Sequence, residues 1–336
     1  MIGYYVHHQG RGHLHRAMAI ARALGSTVVV GLSSLPRPEG WPGPWIELPR
    51  DDDGETRVDA EARGRLHWVP ERHAGLRARM AEISSWIDDV DPELMVVDVS
   101  VEVSLLARLH GVPVITIVLP GDRRDAAHEL VHSVARRVVA AWPSQVRQLV
   151  RGVEESDRLV CVGAMSRFDG RERGPGPLGD GTRRVVVLSG AGGSTVTPDA
   201  IESARGQSPG WEWTVLGGPG AWVDDPWDVL CAADVIVTHA GQNAIAEVAA
   251  AGRPAIVVPQ PRPFDEQDLM ATGLAASARW PAIVRGAFPT TGWSDLLDAA
   301  ACLDGDDWTG WNDGQGAARA AAVVQCELRA VAGGDR

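Results

Sequence analysis

The sequence predicts an α/β protein of two Rossmann-like, doubly wound domains facing across a cleft. Three observations carry this. Residues 2–6, 27–32, 94–99 and 112–119 are short apolar runs of strand length, separated by helical patterns. After a glycine-rich stretch the alternation restarts, with runs at 184–189, 211–217, 234–238 and 255–259. In both halves the first run leads into a glycine-containing turn. A chain of 336 residues is long enough for two domains that each bury a core.

The elements follow in order. Residues 7–13, HHQGRGH, form a polar turn, and 14–24 a helical pattern with Met18, Ala21 and Leu24. Residues 33–61 are rich in Pro, Gly, Trp and Asp and read as irregular. Residues 71–88 place Leu76, Met80, Ile83 and Ile87 on one helix side. Residues 101–110 read as a helix, and 138–142 and 158–162 as the last strands of the first half. The expected boundaries are a first domain at 1–165, a linker at 166–183 containing Pro175 and Pro177, and a second domain at 184–316. A helix and tail at 317–336 are expected to pack back across the seam.

Composition removes several reaction classes. The chain contains no lysine: all 32 basic residues counted as Lys+Arg are arginine. A Schiff-base lysine cannot exist, so pyridoxal-phosphate enzymes and class I aldolases are excluded, as is a P-loop with its phosphate lysine. Phosphate must be held by arginine, histidine, hydroxyls, backbone N–H groups or a helix N-terminus. The net charge of −12 argues against nucleic acid as a partner. Residues 1–165 hold 19 arginines against 22 carboxylates, and residues 166–336 hold 13 against 22, so an anionic partner finds the first half the better host. Cys161, Cys231, Cys302 and Cys326 are far apart in sequence and read as free thiols of a reducing cytoplasm. The N-terminal apolar stretch is too short for a signal peptide, and no run of about 18 apolar residues suggests a membrane span. The thirteen tryptophans are expected to fill cores and domain seams.

The chemistry concentrates at 234–267, DVIVTHAGQNAIAEVAAAGRPAIVVPQPRPFDEQ. A short strand ends in the tight turn His239–Ala240–Gly241. Gln242 and Asn243 then open a helix that Gly252 closes and Pro254 stops. A helix N-terminus at a strand's carboxyl end suits an anion, because its free N–H groups and macrodipole both favour phosphate. Glu247, four residues on, lies over the same helix face, where its carboxylate can accept from ribose hydroxyls. Taken singly, each residue is an ordinary turn histidine, N-cap or surface carboxylate.

The pattern W-V-x5-V-L-x6-V-T-H-A-G-Q-N-x3-E, ending in D-E-Q, resembles the donor-binding signature of inverting nucleotide-sugar glycosyltransferases of the GT-B fold. Plant-type UDP-glycosyltransferases and the peptidoglycan lipid-intermediate N-acetylglucosaminyltransferase carry close versions. The resemblance implies that Trp222 stacks on the nucleobase and that Val223 offers it backbone hydrogen bonds. It also implies that His239, Gly241, Gln242 and Asn243 meet the diphosphate, Glu247 the ribose, and Glu266 and Gln267 the sugar hydroxyls. Gly10, Gly12 and His13 resemble the first loop of the same fold. That likeness implies His13 as the general base, with His7, His8 and His15 as competitors, and Gly12 at the donor. Imidazole suits the task because it titrates near neutral pH.

Other candidates rest on position. The loop Ser189, Gly190, Gly192, Gly193, Ser194 follows a strand but lacks the dinucleotide spacing; it can still offer N–H groups to a diphosphate. Asp98 and Asp122, at strand ends of the first half, are candidates to orient His13 or hold the acceptor. The basic stretch 62–80 reads as a solvated helix face or as an acceptor and anionic-membrane surface; its candidates are His67, Trp68, Arg72 and Arg77, with Arg79 beside them. The acidic runs at 51–53 and 88–91 read as solvated loops, so no metal and no other cofactor is expected.

The expected activity is metal-independent inverting transfer from a UDP- or dTDP-sugar to an acceptor hydroxyl, on a small-molecule or lipid-linked acceptor. Membrane contact is at most peripheral, and the reading admits a homodimer. The alternatives are a non-hydrolysing nucleotide-sugar epimerase and a non-catalytic, nucleotide-binding pseudo-glycosyltransferase.

Overall fold

The computed structural model describes residues 1–53, 57–174, 181–190 and 193–333. Among these, the first half builds one parallel sheet. Its strands are β1 (Ile2–Tyr5), β2 (Val29–Ser33), β3 (Trp45–Glu47), β4 (Leu94–Asp98) and β5 (Val114–Val118), with β7 (Arg137–Ala140) and β9 (Leu159–Cys161). The order is β3-β2-β1-β4-β5-β7-β9; β6 (Gly121–Asp122) and β8 (Val150–Arg151) pair separately. The second half builds a parallel sheet from β10 (Arg183–Leu188), β11 (Trp211–Leu216), β12 (Val235–Thr238), β13 (Ala255–Val257) and β14 (Ala282–Val284), ordered β11-β10-β12-β13-β14. The central strands are buried along their whole length, as strands covered by helices on both faces must be.

The helices are α1 (Arg11–Ala23), α2 (Ala74–Val90), α3 (Val101–Leu109), α4 (Ala126–Val134), α5 (Pro198–Gln207), α6 (Trp227–Ala232), α7 (Gln242–Ala251), α8 (Glu266–Ala275), α9 (Trp293–Ala301) and α10 (Gly316–Ala332). His73, Ser100, Asp125 and Thr197 cap α2 to α5 through their side chains. By contrast α1 and α7 begin after glycines, Gly10 and Gly241, with no side-chain cap. Their first-turn N–H groups are left unclaimed by side chains.

The expected fold class is the observed one. Three details differ from the sequence reading. Residues 88–90, from an acidic run expected as a solvated loop, form the last turn of α2, and Asp51 of the other acidic run is buried. Residues 33–61 contribute the edge strand β3, paired to β2 at Gly31 and Trp45, inside a stretch that looks irregular because the strand is three residues long. The short helices α4, α5, α6, α8 and α9 carry too few turns for their periodicity to stand out.

Tryptophans fill the interior: Trp142, Trp293, Trp308 and Trp311 are among the largest fully buried side chains, each worth a large apolar area. One core cluster runs through both halves, joining Trp142, Val146 and Leu149 to Leu188, Ile236, Ile245 and Met270. The C-terminal α10 returns to the first half, where Ala320, Ala321 and Val324 pack with Ala17, Ile20 and Ala21 of α1.

Candidate active site

Both sheets change winding direction once, and both changes point at the same space. In the first sheet the order reverses between β1 and β4; in the second, between β10 and β12. Loops leaving the carboxyl ends at such a point diverge and leave a crevice. The loop after β1 carries Gly10–His13, β4 ends at Asp98, the loop after β10 starts at Ser189, and the turn after β12 carries His239–Gly241. A cavity of about 370 Å³ lies between them, lined from both halves.

On the first-domain side, His13 Nδ1 lies 3.0 Å from Asp98 Oδ1. Asp98 is fully buried, while the His13 side chain keeps 15% exposure toward the cavity. Arg16, one helix turn beyond His13, holds both carboxylate oxygens of Asp98, with Nε 3.2 Å from Oδ2 and one terminal nitrogen 2.9 Å from Oδ1. Burial opposes ionisation of Asp98, but the Arg16 guanidinium and the His13 ring outweigh it and hold the carboxyl down at about 2. An ionised carboxylate only accepts, so a protonated His13 Nδ1 donates to Asp98; an Arg16 terminal nitrogen also lies 3.1 Å from Nδ1, but its protons are taken up by the two Asp98 oxygens at 2.9 and 3.1 Å. The lone pair then sits on Nε2. Val99, directly after Asp98, takes a left-handed φ of 57°, an outlier for a β-branched residue at the strand end that aims this carboxylate.

Arg16 also crosses the cleft. Its other terminal nitrogen donates to Gln242 Oε1 at 3.2 Å, and the Gln242 amide donates to the Ala141 carbonyl at 3.1 Å. The side chain of Gln242 is therefore occupied by the first domain, and what α7 offers an anion is its backbone. Gly12 meets this helix so closely that a Cβ there would lie 1.7 Å from Asn243 Nδ2.

The second-domain wall carries the other candidates. The His239 ring lies 3.2 Å from the Gly190 N–H nitrogen and 2.9 Å from that of Gly241. Burial, with the Arg262 guanidinium second, pulls its pKa down to about 4, so it is neutral at pH 7. Glu247 reaches the cavity paired to Arg167 Nε at 2.8 Å; burial pushes its pKa up and Arg167 opposes this. Trp222 is 49% exposed beside the cavity, with Nε1 donating to Asp224 at 2.9 Å and Arg11 5.6 Å from the ring centre. Val223 and Glu266 also line it. Gln267 is buried behind, its side-chain oxygen accepting from Gln260 N–H at 2.9 Å and its amide 3.3 Å from His239 Nδ1.

Other candidates lie elsewhere. Gly192 falls outside the described residues, and Gly193 and Ser194 are not in the cavity wall; the Ser194 hydroxyl caps Val196 N–H at 3.1 Å. Asp122 is not in the wall either: its carboxylate pairs with Arg124 and faces Arg151. His67, Trp68, Arg72 and Arg77 do not line the cavity. The His67 and Trp68 backbones are tied to Glu102, and Trp68 Nε1 to the Asp51 carbonyl at 2.6 Å. Arg79 is not a surface residue but 1% exposed, donating to the Tyr5 hydroxyl at 2.7 Å and the Pro49 carbonyl at 3.0 Å. The long aliphatic stem of arginine lets it sit inside while its fork finds acceptors.

Among the described residues, two clusters bring three possible metal-ligand atoms together: His8 with Asp51 and Asp52, and His67 with Asp125 and His128. In each a guanidinium already occupies the neighbourhood. Arg79 pairs with Asp51 at 3.0 Å and Arg50 with Asp52 at 2.7 Å. In the second, His128 gives its Nδ1 proton to Asp125, and its Nε2 faces Arg123 at 3.4 Å. That tautomer leaves no lone pair on Nδ1 for a cation.

Arg16, Arg167 and Arg123 escaped sequence reasoning, because nothing in their local pattern distinguishes them from other arginines. The only available signal for Arg16 was its place one turn after His13 on the same helix face.

Comparison with known proteins adds three findings. Residues 223–278 match the glycosyltransferase family 28 C-terminal domain. Over 210 residues the chain is 29% identical to a UDP-N-acetylglucosamine–N-acetylmuramyl-(pentapeptide) pyrophosphoryl-undecaprenol N-acetylglucosamine transferase of Sorangium cellulosum, covering 55% of this chain and 50% of that protein. The chain spans about half the length of such relatives, 53% for one from Rubrobacter xylanophilus. The solved calicheamicin glycosyltransferase CalG4 superposes with a TM-score of 0.68 at 16% identity, covering 98% of each chain. MurG of Acinetobacter baumannii does so with a TM-score of 0.62 at 17% identity, covering 97% of this chain and 99% of that one. The architecture is the GT-B fold of nucleotide-sugar glycosyltransferases.

Proposed function

We propose that the protein is a glycosyltransferase that moves a sugar from a UDP- or dTDP-sugar to an acceptor hydroxyl with inversion, without a metal, using His13 as general base. The observation that carries this is the His13–Asp98 pair facing the uncapped N-terminus of α7 across one cavity. The acceptor belongs to the first domain and the donor to the second.

In this reading the acceptor oxygen attacks the anomeric carbon from the face opposite the diphosphate. The bond to the leaving oxygen breaks as the new glycosidic bond forms, which inverts the centre. His13 Nε2 takes the acceptor proton, and buried Asp98 stabilises the resulting imidazolium. The electron pair of the broken bond leaves on the nucleoside diphosphate. Backbone N–H groups of the α7 terminus and of the loop after β10 stabilise that charge. Trp222 and Val223 take the base, Glu247 the ribose and Glu266 the sugar, with Gln267 behind the wall against His239. The names of the curated relatives make UDP-N-acetylglucosamine the first donor to try, and a lipid-linked diphosphate sugar the first acceptor beside natural-product aglycones.

The test is an anomeric NMR assay of donor with and without an acceptor panel, in the presence of a chelator. The reading expects an inverted glycoside and free diphosphate only when acceptor is present, unchanged by the chelator. Conversion of donor alone would identify the epimerase alternative, and nucleotide binding without turnover the non-catalytic one. His13→Ala with full activity would refute the base assignment.

A further inference from the structure

Directly after Asp122, which points outward, Arg123 turns inward to the domain seam. Its side chain is only 5% exposed. One terminal nitrogen donates to Glu266 Oε1 at 2.6 Å and to the Pro120 carbonyl at 2.9 Å. The other nears His128 Nε2 at 3.4 Å, and the guanidinium carbon lies 4.4 Å from the centre of the Phe264 ring. The His67 and His128 rings also pack against the half-exposed Phe264, at 5.6 and 5.0 Å. Glu266 is the only carboxylate in ion-pair contact with Arg123 among the described residues, and it comes from the other domain.

The segment carrying Glu266 is held in an unusual shape. Phe264 and Asp265 both take left-handed backbone angles, φ 60° and 54°, without being glycine. Such conformations persist only where surrounding contacts impose them. Phe264 stays 39% exposed, and it is the backbone that is held: its carbonyl is so near Gly121 that a Cβ there would lie 2.7 Å away. Glu266 then opens α8 with its carboxylate at the cavity wall.

We propose that Arg123 is a positioning residue for the donor sugar: from the acceptor domain it holds the Glu266 carboxylate, by direct ion pairing and by its contact with the Phe264 ring, in the orientation that meets the sugar hydroxyls. This rests on the glycosyltransferase reading. Docking of the two domains thereby completes the sugar subsite, while the side chains and N–H groups that hold the nucleotide come from α7, the loop after β10 and the Trp222 loop. Arg123 therefore distinguishes a nucleotide sugar from the bare nucleotide.

The experiment measures calorimetric affinities for UDP and UDP-N-acetylglucosamine in wild type, Arg123→Ala, Arg123→Lys, Glu266→Gln and the double variant Arg123→Ala/Glu266→Gln. Arg123→Ala should bind UDP within about twofold of wild type and lose roughly tenfold for the nucleotide sugar, the scale of one charged hydrogen bond. Arg123→Lys, which keeps the charge but not the fork, should recover part of that loss. The double variant should lose no more than Glu266→Gln alone, because Arg123 acts through Glu266. Additive losses, equal losses for both ligands, or an unchanged ratio would each overturn the inference while leaving the glycosyltransferase reading intact. A wild type that binds neither ligand would overturn both.

Discussion

His13 and Asp98 stand 85 positions apart in sequence and 3.0 Å apart in space, with the carboxylate fully buried and the imidazole facing the cleft. With Nδ1 donating to Asp98, the ring's lone pair sits on Nε2. Replacing Asp98 by Asn removes the charge and lets the amide stabilise the opposite tautomer. Asp98→Asn should therefore lower kcat by roughly 10²- to 10⁴-fold, the scale of general-base catalysis, with UDP affinity nearly unchanged. Steady-state rates alongside calorimetric UDP binding check this, and a kcat within a few-fold of wild type would rule out the orienting role.

Gly12 supplies a test of the closed cleft. A methyl at this position collides with Asn243 Nδ2, so the Asn243 side chain must turn away from the first loop. The collision is with a cavity-lining side chain and not with the core that joins the two halves, so the fold survives. Gly12→Ala should leave the melting temperature nearly unchanged and weaken donor binding by about tenfold, within the usual cost of overpacking. A large fall in melting temperature with normal donor affinity would show that the loop supports folding and not the site.

Glu247 offers a test by substrate truncation. If its carboxylate accepts from the ribose, wild type should prefer UDP over 2′-deoxy-UDP by roughly ten- to hundredfold, the worth of a hydrogen bond to a charged group. Glu247→Ala should lose that preference. It also strands Arg167, now paired at 2.8 Å, beside the site. Retained discrimination in the variant would place ribose recognition elsewhere.

Stability should fall on acidification. Burial first of all holds the pKa of His7 at about 3, and those of His128, His132 and His239 at about 4, below the ordinary 6.5. Below pH 6.5 the unfolded chain takes up protons that these folded rings refuse, so the stability they contribute is complete above pH 6.5 and lost as pH falls toward 4. Each ring adds a slope of up to about 1.4 kcal/mol per pH unit. Urea unfolding at pH 7.5, 6 and 5 measures it; a stability independent of pH over that range would show the rings charged and solvated.

Much of the donor wall was legible in the linear sequence, because His239, Gly241, Asn243 and Glu247 lie on one strand–turn–helix unit whose spacing alone brings them to one face. The acceptor side was not. The run of arginines at 63–79 looks like one surface, yet Arg79 is interior and the rest do not line the cavity, because charge density says nothing about which way a chain turns. Asp122 and Arg123 show the same limit: adjacent residues point to opposite sides, and only packing decided that the arginine faces in.

The sequence by itself determined what is local: strand and helix periodicity, the glycine turns at two strand ends, the absence of lysine, and an anion-suited helix terminus. These depend on residues within a few positions of each other. The tertiary structure alone decided the pairings that give the site its electrostatics: Arg16 on Asp98 and Gln242, Arg167 on Glu247, Arg123 on Glu266. Each joins residues 80 or more positions apart. The reason is desolvation: a buried charge must find a partner wherever the fold places one, and that place is set by how helices and sheets pack, not by neighbours in the chain.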